Sequence, residues 1–184
     1  EHEYAVPVPA EEWRANADHV AACLRTFYGS ETYRWIRERP RDEWLEIEDF
    51  SSFRLDDVKV HVKLDFACRE GDRIHIFDWK TGRRDDQDNS IQLACYALYA
   101  NGKWKAGPGQ VRTIEFNLAK NQVHDYWVNA ADIERIRGYI RGSIRDMLTL
   151  LRDAERNEAD RDSCPLTTEE WRCRNCNFKR LCGR

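Results

Sequence analysis

Long apolar runs are absent from this chain of 184 residues. No segment reaches the length that crosses a membrane, and the chain does not open with the apolar stretch of a secretory signal. Proline and glycine are sparse, at 5 and 9 residues, whereas hydrophobic residues make up 41% and charged residues 34%. This balance gives no compositional case for disorder. We therefore expect a soluble protein that is long enough to bury a core and does not enter a membrane.

An excess of positive charge is absent as well. The chain carries 30 Lys and Arg residues against 33 Asp and Glu residues, for a net charge of −3. Proteins dedicated to non-specific DNA binding are usually basic, so the overall charge argues modestly against nucleic acid as a partner. A local basic strip on a nearly neutral protein, or a set of acidic metal ligands, would remove that objection.

The seven cysteines are odd in number, which excludes a complete set of internal disulfides. Four of them fall within residues 164–184. This distribution favours a reducing compartment, and hence a cytoplasmic location, with a metal or cluster site near the C-terminus.

Two segments of alternating apolar and polar residues flank a predicted turn at Gly71. The alternation predicts a hairpin with one strand from residue 58 to 66 and another from 74 to 80. In the first strand Asp65 lies on the face opposite an apolar set, Val60, Val62, Leu64 and Phe66. In the second strand Asp78 and Lys80 share one face. We expect the carboxylates of Asp65 and Asp78 to converge near one end of the hairpin.

Two neighbouring carboxylates repel each other unless a cation lies between them, and hard oxygen ligands suit Mg²⁺ or Mn²⁺. Lys80 would lie beside such a metal and face a bound anion. A metal ion with a lysine beside it is an arrangement that cleaves phosphodiesters. By itself an Asp-x-Lys triplet is more often part of a charged surface hairpin.

The segment that follows favours the catalytic interpretation. Residues 90–100 are predicted to form a helix, and Gln92 and Tyr96 lie four positions apart on one face of it. Asp65, Asp78-Trp-Lys80 and Gln92-x-x-x-Tyr96, in this order, resemble the RecB-like branch of the PD-(D/E)XK nucleases. The resemblance covers the chain from about Trp44 onward. It implies an α/β fold in which helices flank a mixed central sheet, the restriction-endonuclease-like core.

The resemblance also implies a function: hydrolysis of DNA with Mg²⁺ or Mn²⁺ held by Asp65 and Asp78, in exonucleolytic fashion at single-stranded ends. Lys80 would activate or orient the attacking water, and Gln92 and Tyr96 would position the strand or support Lys80. RecB-like domains work in helicase–nuclease and CRISPR adaptation complexes, so a helicase or another protein partner is expected. Two alternatives stay open: an inactive nuclease-fold module that binds nucleic acid or assembles a complex, and a sequence-specific endonuclease of the same fold.

A further metal ligand upstream is common in this family. The candidates are two glutamates of a strand predicted over residues 44–53 and two histidines: Glu46, Glu48, His2 and His19. For each glutamate the alternative is a solvated charge on an edge strand. Lys63 stands where the family tends to have glycine, two residues before the first aspartate, and would narrow the site or contact a phosphate.

The C-terminal cysteines Cys173, Cys176 and Cys182 have C-x2-C-x5-C spacing, which predicts a soft-metal site. In cluster-bearing RecB-like nucleases the same triplet and one distant cysteine hold a [4Fe–4S] cluster, and zinc is the second candidate here. The fourth ligand is open between Cys23, Cys164 and a residue outside this chain. The segment around Cys23 resembles the Cys-Pro-Arg-x-Phe-Tyr motif of those nucleases but lacks its proline. We expect a nuclease core over residues 1–160 and a cysteine-rich cap over 161–184.

The remaining pattern predicts three more elements. Residues 11–39 should form a helix that is interrupted near Gly29 and ends at Pro40. Residues 111–118 and 123–128 should form a second hairpin. A long amphipathic helix is predicted from about Asp132 to Glu158.

Overall fold

The computed structural model describes residues 7–83, 90–160, 162–174, 176–180 and 182–183. Glu11–Gly138 forms one compact unit, and the chain after Gly138 belongs to a second. Among the described helices, none is both long and apolar enough to cross a membrane.

The first elements of the described chain are two helices, α1 (Ala10–Gly29) and α2 (Glu31–Arg37). Ser30 separates them because its extended backbone cannot continue α1, and its hydroxyl accepts a hydrogen bond of 3.0 Å from the Tyr33 backbone N–H at the start of α2. The predicted helix with an interruption beside Gly29 is confirmed.

A five-stranded sheet forms the centre of the first unit, with strand order β1-β4-β5-β6-β7. The strands are β1 (Trp44–Ile47), β4 (Phe66–Glu70), β5 (Arg73–Lys80), β6 (Val111–Asn117) and β7 (Gln122–Trp127). Only the β5–β6 pair is parallel, so the sheet is mixed. Helix α3 (Ser90–Trp104) connects these two parallel strands. The predicted second hairpin is confirmed as β6 and β7.

A separate two-stranded sheet, β2 (Phe50–Leu55) with β3 (Val58–Lys63), lies between β1 and β4 in the sequence. The prediction of one continuous strand from residue 58 to 66 is therefore wrong. The chain leaves β3 at Lys63 and begins β4 at Phe66, and the β4–β5 pair turns at Gly71, whose φ of 57° suits glycine.

The break at residues 64 and 65 also shifts the alternation of side chains. Val62 and Leu64 pack with Ile76 beneath α3, whereas Phe66 packs with Phe77 on the opposite face of the sheet. The predicted apolar set of the first strand is thus divided between two faces, because β3 and β4 belong to different sheets.

Helices cover both faces of the central sheet. On one face, Leu93 and Ala97 of α3 pack against Ile74 and Ile76 of β5. On the other face, Ile36 of α2 packs with Phe77 and Ile114, and Cys23 and Phe27 of α1 pack with Trp79 and Phe116. The predicted α/β class with a mixed, helix-flanked sheet is confirmed.

Helix α4 (Ala130–Leu148) ends ten residues before the predicted end at Glu158. It is followed by a small hairpin of β8 (Leu151–Asp153) and β9 (Glu158–Ala159). Asp153 favours the turn because its carboxylate accepts hydrogen bonds from the backbone of Glu155 and Arg156. The apolar spacing that predicted the longer helix continues through Leu151, although the backbone has already become extended there. Beyond β9 the described chain consists of turns and the short helix α5 (Glu170–Arg174).

Candidate active site

Asp65 lies at the bend between β3 and β4. Asp65 immediately precedes Phe66, the first residue of β4, and Phe66 is paired with Phe77, the residue before Asp78 in β5. Its Oδ2 accepts a hydrogen bond of 2.7 Å from the Trp79 backbone N–H. The bend aims the Asp65 side chain across the end of β5, and the predicted convergence of the two carboxylates is therefore present.

Asp78 is 3% exposed, near the end of the buried strand β5. Its Oδ2 lies 2.7 Å from Lys80 Nζ, and Lys80 is 27% exposed. The two side chains share a face because they are two residues apart on one strand. A buried carboxylate is thereby placed directly beside an ammonium group that remains accessible from solvent.

Gln92 and Tyr96 complete the cluster from helix α3. The Gln92 side chain accepts a hydrogen bond of 2.8 Å from Lys80 Nζ and donates to Asp78 Oδ1 at 3.1 Å. The Tyr96 hydroxyl lies 3.1 Å from the same Asp78 oxygen and 2.5 Å from Gln92 Nε2. One helical turn separates the two residues, so both reach β5 from one face. The structure thus brings together all five residues that the sequence predicted for the nuclease site.

Substituting Gln92 by alanine is expected to lower activity by on the order of tenfold, because one hydrogen bond to Lys80 and one to the Asp78 carboxylate are lost. Mg²⁺ affinity should stay nearly unchanged, since Gln92 bonds to the carboxylate and not to a metal. Parallel measurements of cleavage rate and of Mg²⁺ binding by calorimetry test this. Tyr96→Phe is the matched variant, since it removes a single hydroxyl. A loss of folded protein in either variant would mean that these residues are structural instead.

The electrostatics of the cluster are unfavourable for a second negative charge. Burial raises the pKa of Asp65, and the nearby carboxylates of Asp78 and Glu48 raise it further. The hydrogen bond from the Trp79 backbone and the charge of Lys80 act in the opposite direction but do not cancel the shift. Burial and the Asp78 carboxylate also raise the pKa of Tyr96, which keeps its hydroxyl protonated as a donor.

Replacing Asp65 by asparagine should therefore stabilise the metal-free protein at neutral pH. A carboxyl group whose pKa is raised on folding destabilises the folded state while it is ionised. The added stability of the variant over the wild type should be full at pH values above the folded-state pKa of Asp65. It should vanish as the pH falls below the unfolded-state pKa. Thermal unfolding in EDTA across pH tests this, with the exposed Asp42→Asn as control. A lower melting temperature of the Asp65→Asn variant at neutral pH would contradict the conclusion that the ionised Asp65 carboxylate destabilises the metal-free protein.

Of the upstream candidates, Glu48 lies beside the cluster. Its backbone N–H donates to the Asp65 carbonyl at 3.0 Å, and its carboxylate lies 2.5 Å from Lys63 Nζ. Glu46 points elsewhere: it is 3% exposed, paired with Lys103, and accepts a hydrogen bond from Tyr99. The alternative of a solvated edge-strand charge is therefore wrong for Glu46, because α3 covers it.

Of the two histidine candidates, only His19 lies within the described residues. His19 is on α1, and its Nε2 lies 2.8 Å from the carbonyl oxygen of Thr81, just after β5. Its Nδ1 lies 3.1 Å from the Arg83 guanidinium. His19 therefore holds the chain that leaves β5, and none of its described contacts is with Asp65 or Asp78. His2 lies outside the described residues.

The three tail cysteines lie in and after the short helix α5. Cys173 is in α5, and Cys176 and Cys182 follow it. Within the described ranges of the chain, no three His, Cys, Asp or Glu side chains are grouped so as to hold a metal ion. Cys23 is buried beside Phe116 and Leu118, whereas Cys164 is exposed. The [4Fe–4S] cluster, the zinc alternative and the fourth ligand stay predictions.

Sequence reasoning missed the part that the backbone of Trp79 plays. Its N–H fixes the Asp65 carboxylate, which a residue-type pattern does not show. Its position gives the reason: the pairing of β4 with β5 ends at Phe66 and Phe77, so on that side of β5 the Trp79 N–H is left for a side chain.

Comparison with known families gives one broad match. The family model of the PD-(D/E)XK nuclease superfamily matches residues 2–183. A search of curated proteins returned no relative of this chain. A solved structure titled "Crystal structure of SSO0001" is similar over 97% of this chain and 71% of its own, with 13% sequence identity and a TM-score of 0.43. A TM-score this low supports no conclusion about the chain.

Proposed function

Because the chain belongs to the PD-(D/E)XK nuclease superfamily, we propose that it is a divalent-metal-dependent deoxyribonuclease that degrades DNA from single-stranded ends. The observation that carries this proposal is the cluster at the end of β5, where Asp65, Asp78 and Lys80 meet Gln92 and Tyr96. A module that had lost its activity would be expected to have lost one of these side chains.

The residues fit a hard divalent cation. Asp65 and Asp78 offer carboxylate oxygens, and Asp78 Oδ2 is buried without a hydrogen bond, in contact only with the Lys80 ammonium among its described partners. Burial, and to a lesser extent the Asp78 and Glu48 carboxylates, raise the pKa of Asp65, which is consistent with a site that a bound cation would stabilise. Mg²⁺ or Mn²⁺ are the ions that such oxygen ligands select, and Glu48 is the nearest candidate for a third carboxylate.

Each residue has a distinct part in the proposed mechanism. Asp65 and Asp78 would hold the metal, which when bound activates water and neutralises charge on the scissile phosphate. Lys80 would stabilise the negative charge that develops on the phosphate and orient the attacking water. Gln92, which contacts both Lys80 and Asp78, would hold the ammonium at its working position. Tyr96 would fix the Asp78 carboxylate by a hydroxyl that stays protonated.

A requirement for free ends is the most specific part of the proposal. Linear single-stranded DNA should be degraded, whereas circular single-stranded DNA of the same sequence should persist, because only the former offers an end. The test is incubation of both with Mg²⁺ or Mn²⁺ and separation of the products by electrophoresis. Degradation of the circular DNA at the same rate as the linear DNA would indicate an endonuclease. It would overturn the exonuclease assignment while keeping the metal-dependent chemistry.

Three further features stay proposals that depend on the family resemblance. They are a cluster of iron or zinc at Cys173, Cys176 and Cys182, a helicase or other protein partner, and a cytoplasmic location. The division into a core over 1–160 and a cap over 161–184 is likewise proposed. Iron and zinc analysis of anaerobically purified protein tests the proposed metal site at the tail cysteines. No step of the mechanism proposed for Asp65, Asp78 and Lys80 depends on it.

A further inference from the structure

The β2–β3 hairpin has one face that the fold leaves uncovered. Its inner face packs toward α3 through residues such as Phe53 and Val62. The alternation of the strands places six exposed residues on the outer face: Phe50, Ser52, Arg54, Lys59, His61 and Lys63. Neither strand contains an aspartate or a glutamate, so the charged side chains on this face are the cations Arg54, Lys59 and Lys63, of which Lys63 is paired with Glu48.

An exposed aromatic pair lies on this face. The rings of Phe50 and His61 are stacked, with centroids 5.0 Å apart and an interplanar angle of 14°. Phe50 is nevertheless 72% exposed, so the stack has an open end. An exposed phenylalanine ring can stack on a base, and aromatic rings beside cations are the means by which proteins bind single-stranded nucleic acid.

The outer face leads directly to the candidate active site. Lys63 is opposite Phe50 across the hairpin, and two residues later the chain reaches Asp65. The Lys63 carbonyl lies 3.1 Å from the Tyr96 hydroxyl, and the Lys63 ammonium is paired with Glu48. The stacked pair therefore stands at the end of the hairpin that adjoins the carboxylates.

We propose that the outer face of the β2–β3 hairpin binds the single-stranded DNA substrate, with a base stacked on Phe50 and phosphates held by Arg54 and Lys59. This inference rests on the proposed function and deepens it. A strand bound here would be directed to Asp65 and Asp78. Arg54 and Lys59 would supply local positive charge for the DNA backbone on a chain whose net charge is −3.

The test separates binding from cleavage by measuring fluorescence anisotropy of a labelled oligothymidylate in EDTA. Phe50→Ala should weaken single-strand affinity by on the order of tenfold, and affinity for a blunt duplex should change little, because its bases are not available for stacking. Lys59→Ala should lower the slope of log affinity against log salt by about 0.7, the value expected for one lost phosphate contact on a single strand, whereas Phe50→Ala should leave that slope unchanged.

Matched controls come from elsewhere on the same unit. Trp13→Ala removes an aromatic ring that is 65% exposed on α1, and Lys105→Ala removes an exposed lysine after α3. Both should bind as the wild type does. Wild-type affinity and salt slope in Phe50→Ala and Lys59→Ala would overturn the hairpin assignment even if the protein cleaves DNA. A wild-type protein that neither binds nor cleaves single-stranded DNA would overturn the proposed function, and this inference with it.

Discussion

Replacing Lys80 by alanine is expected to slow DNA cleavage by on the order of 10²–10³, the loss that follows from removing about 3–4 kcal/mol of charge stabilisation in the transition state. The ammonium lies 2.7 Å from Asp78 Oδ2 and is held by Gln92. It is the accessible cation of the cluster, so its removal deletes the group that would face the phosphate. Single-turnover cleavage of end-labelled DNA at saturating protein measures the effect.

The Lys80→Ala protein should remain folded and should still bind a divalent ion. Asp78 keeps the hydrogen bonds from Gln92 and Tyr96, and the lysine is not itself a ligand. Thermal unfolding and Mn²⁺ calorimetry establish both points. Lys105→Ala is the control for loss of a lysine, because its amine bonds only to the Gly102 carbonyl among its described contacts. Full activity in folded Lys80→Ala protein would remove Lys80 from the mechanism.

Replacing Asp78 by asparagine should have the largest effect, because it removes both a metal ligand and the negative charge that fixes Lys80. We expect cleavage to fall by more than about 10³ and Mn²⁺ binding to be lost with it, since a metal ion supplies several kcal/mol of stabilisation. Asparagine retains an acceptor for Gln92 and Tyr96, so the shape of the cluster is preserved.

A suitable control for this variant is Asp125→Asn. Asp125 is also a sheet carboxylate in an ion pair, with Arg112, but it belongs to β7. Its substitution should leave Mn²⁺ binding and cleavage at wild-type levels. Unchanged Mn²⁺ affinity in the Asp78→Asn protein would place the metal elsewhere.

The parts of the fold that were predictable depend on local periodicity. Strand β5 alternates without a break, and its apolar faces pack as the pattern indicates, Ile76 under α3 and Phe77 on the other side. Because Asp78 and Lys80 continue that alternation, their shared face was predictable too. Gln92 and Tyr96 followed from helical spacing and from the family pattern.

The errors arise where long-range packing decides the outcome. The bend at Asp65 exists because β3 pairs with β2 and β4 pairs with β1 and β5, and the alternating sequence gives no sign of the change. Glu46 is buried because Lys103, distant in sequence, pairs with it. The end of α4 at Leu148 was missed since apolar residues continue at helical spacing beyond it.

The most direct test of the nuclease assignment is incubation of end-labelled single-stranded DNA with the wild-type protein in Mg²⁺, in Mn²⁺ and in EDTA, beside the Asp65→Asn/Asp78→Asn double variant. Our account predicts that the wild-type protein shortens the DNA only when a divalent ion is present, and that the folded double variant leaves it intact. Intact DNA with the folded wild-type protein in Mg²⁺ and Mn²⁺, or equal cleavage by the double variant, would contradict it.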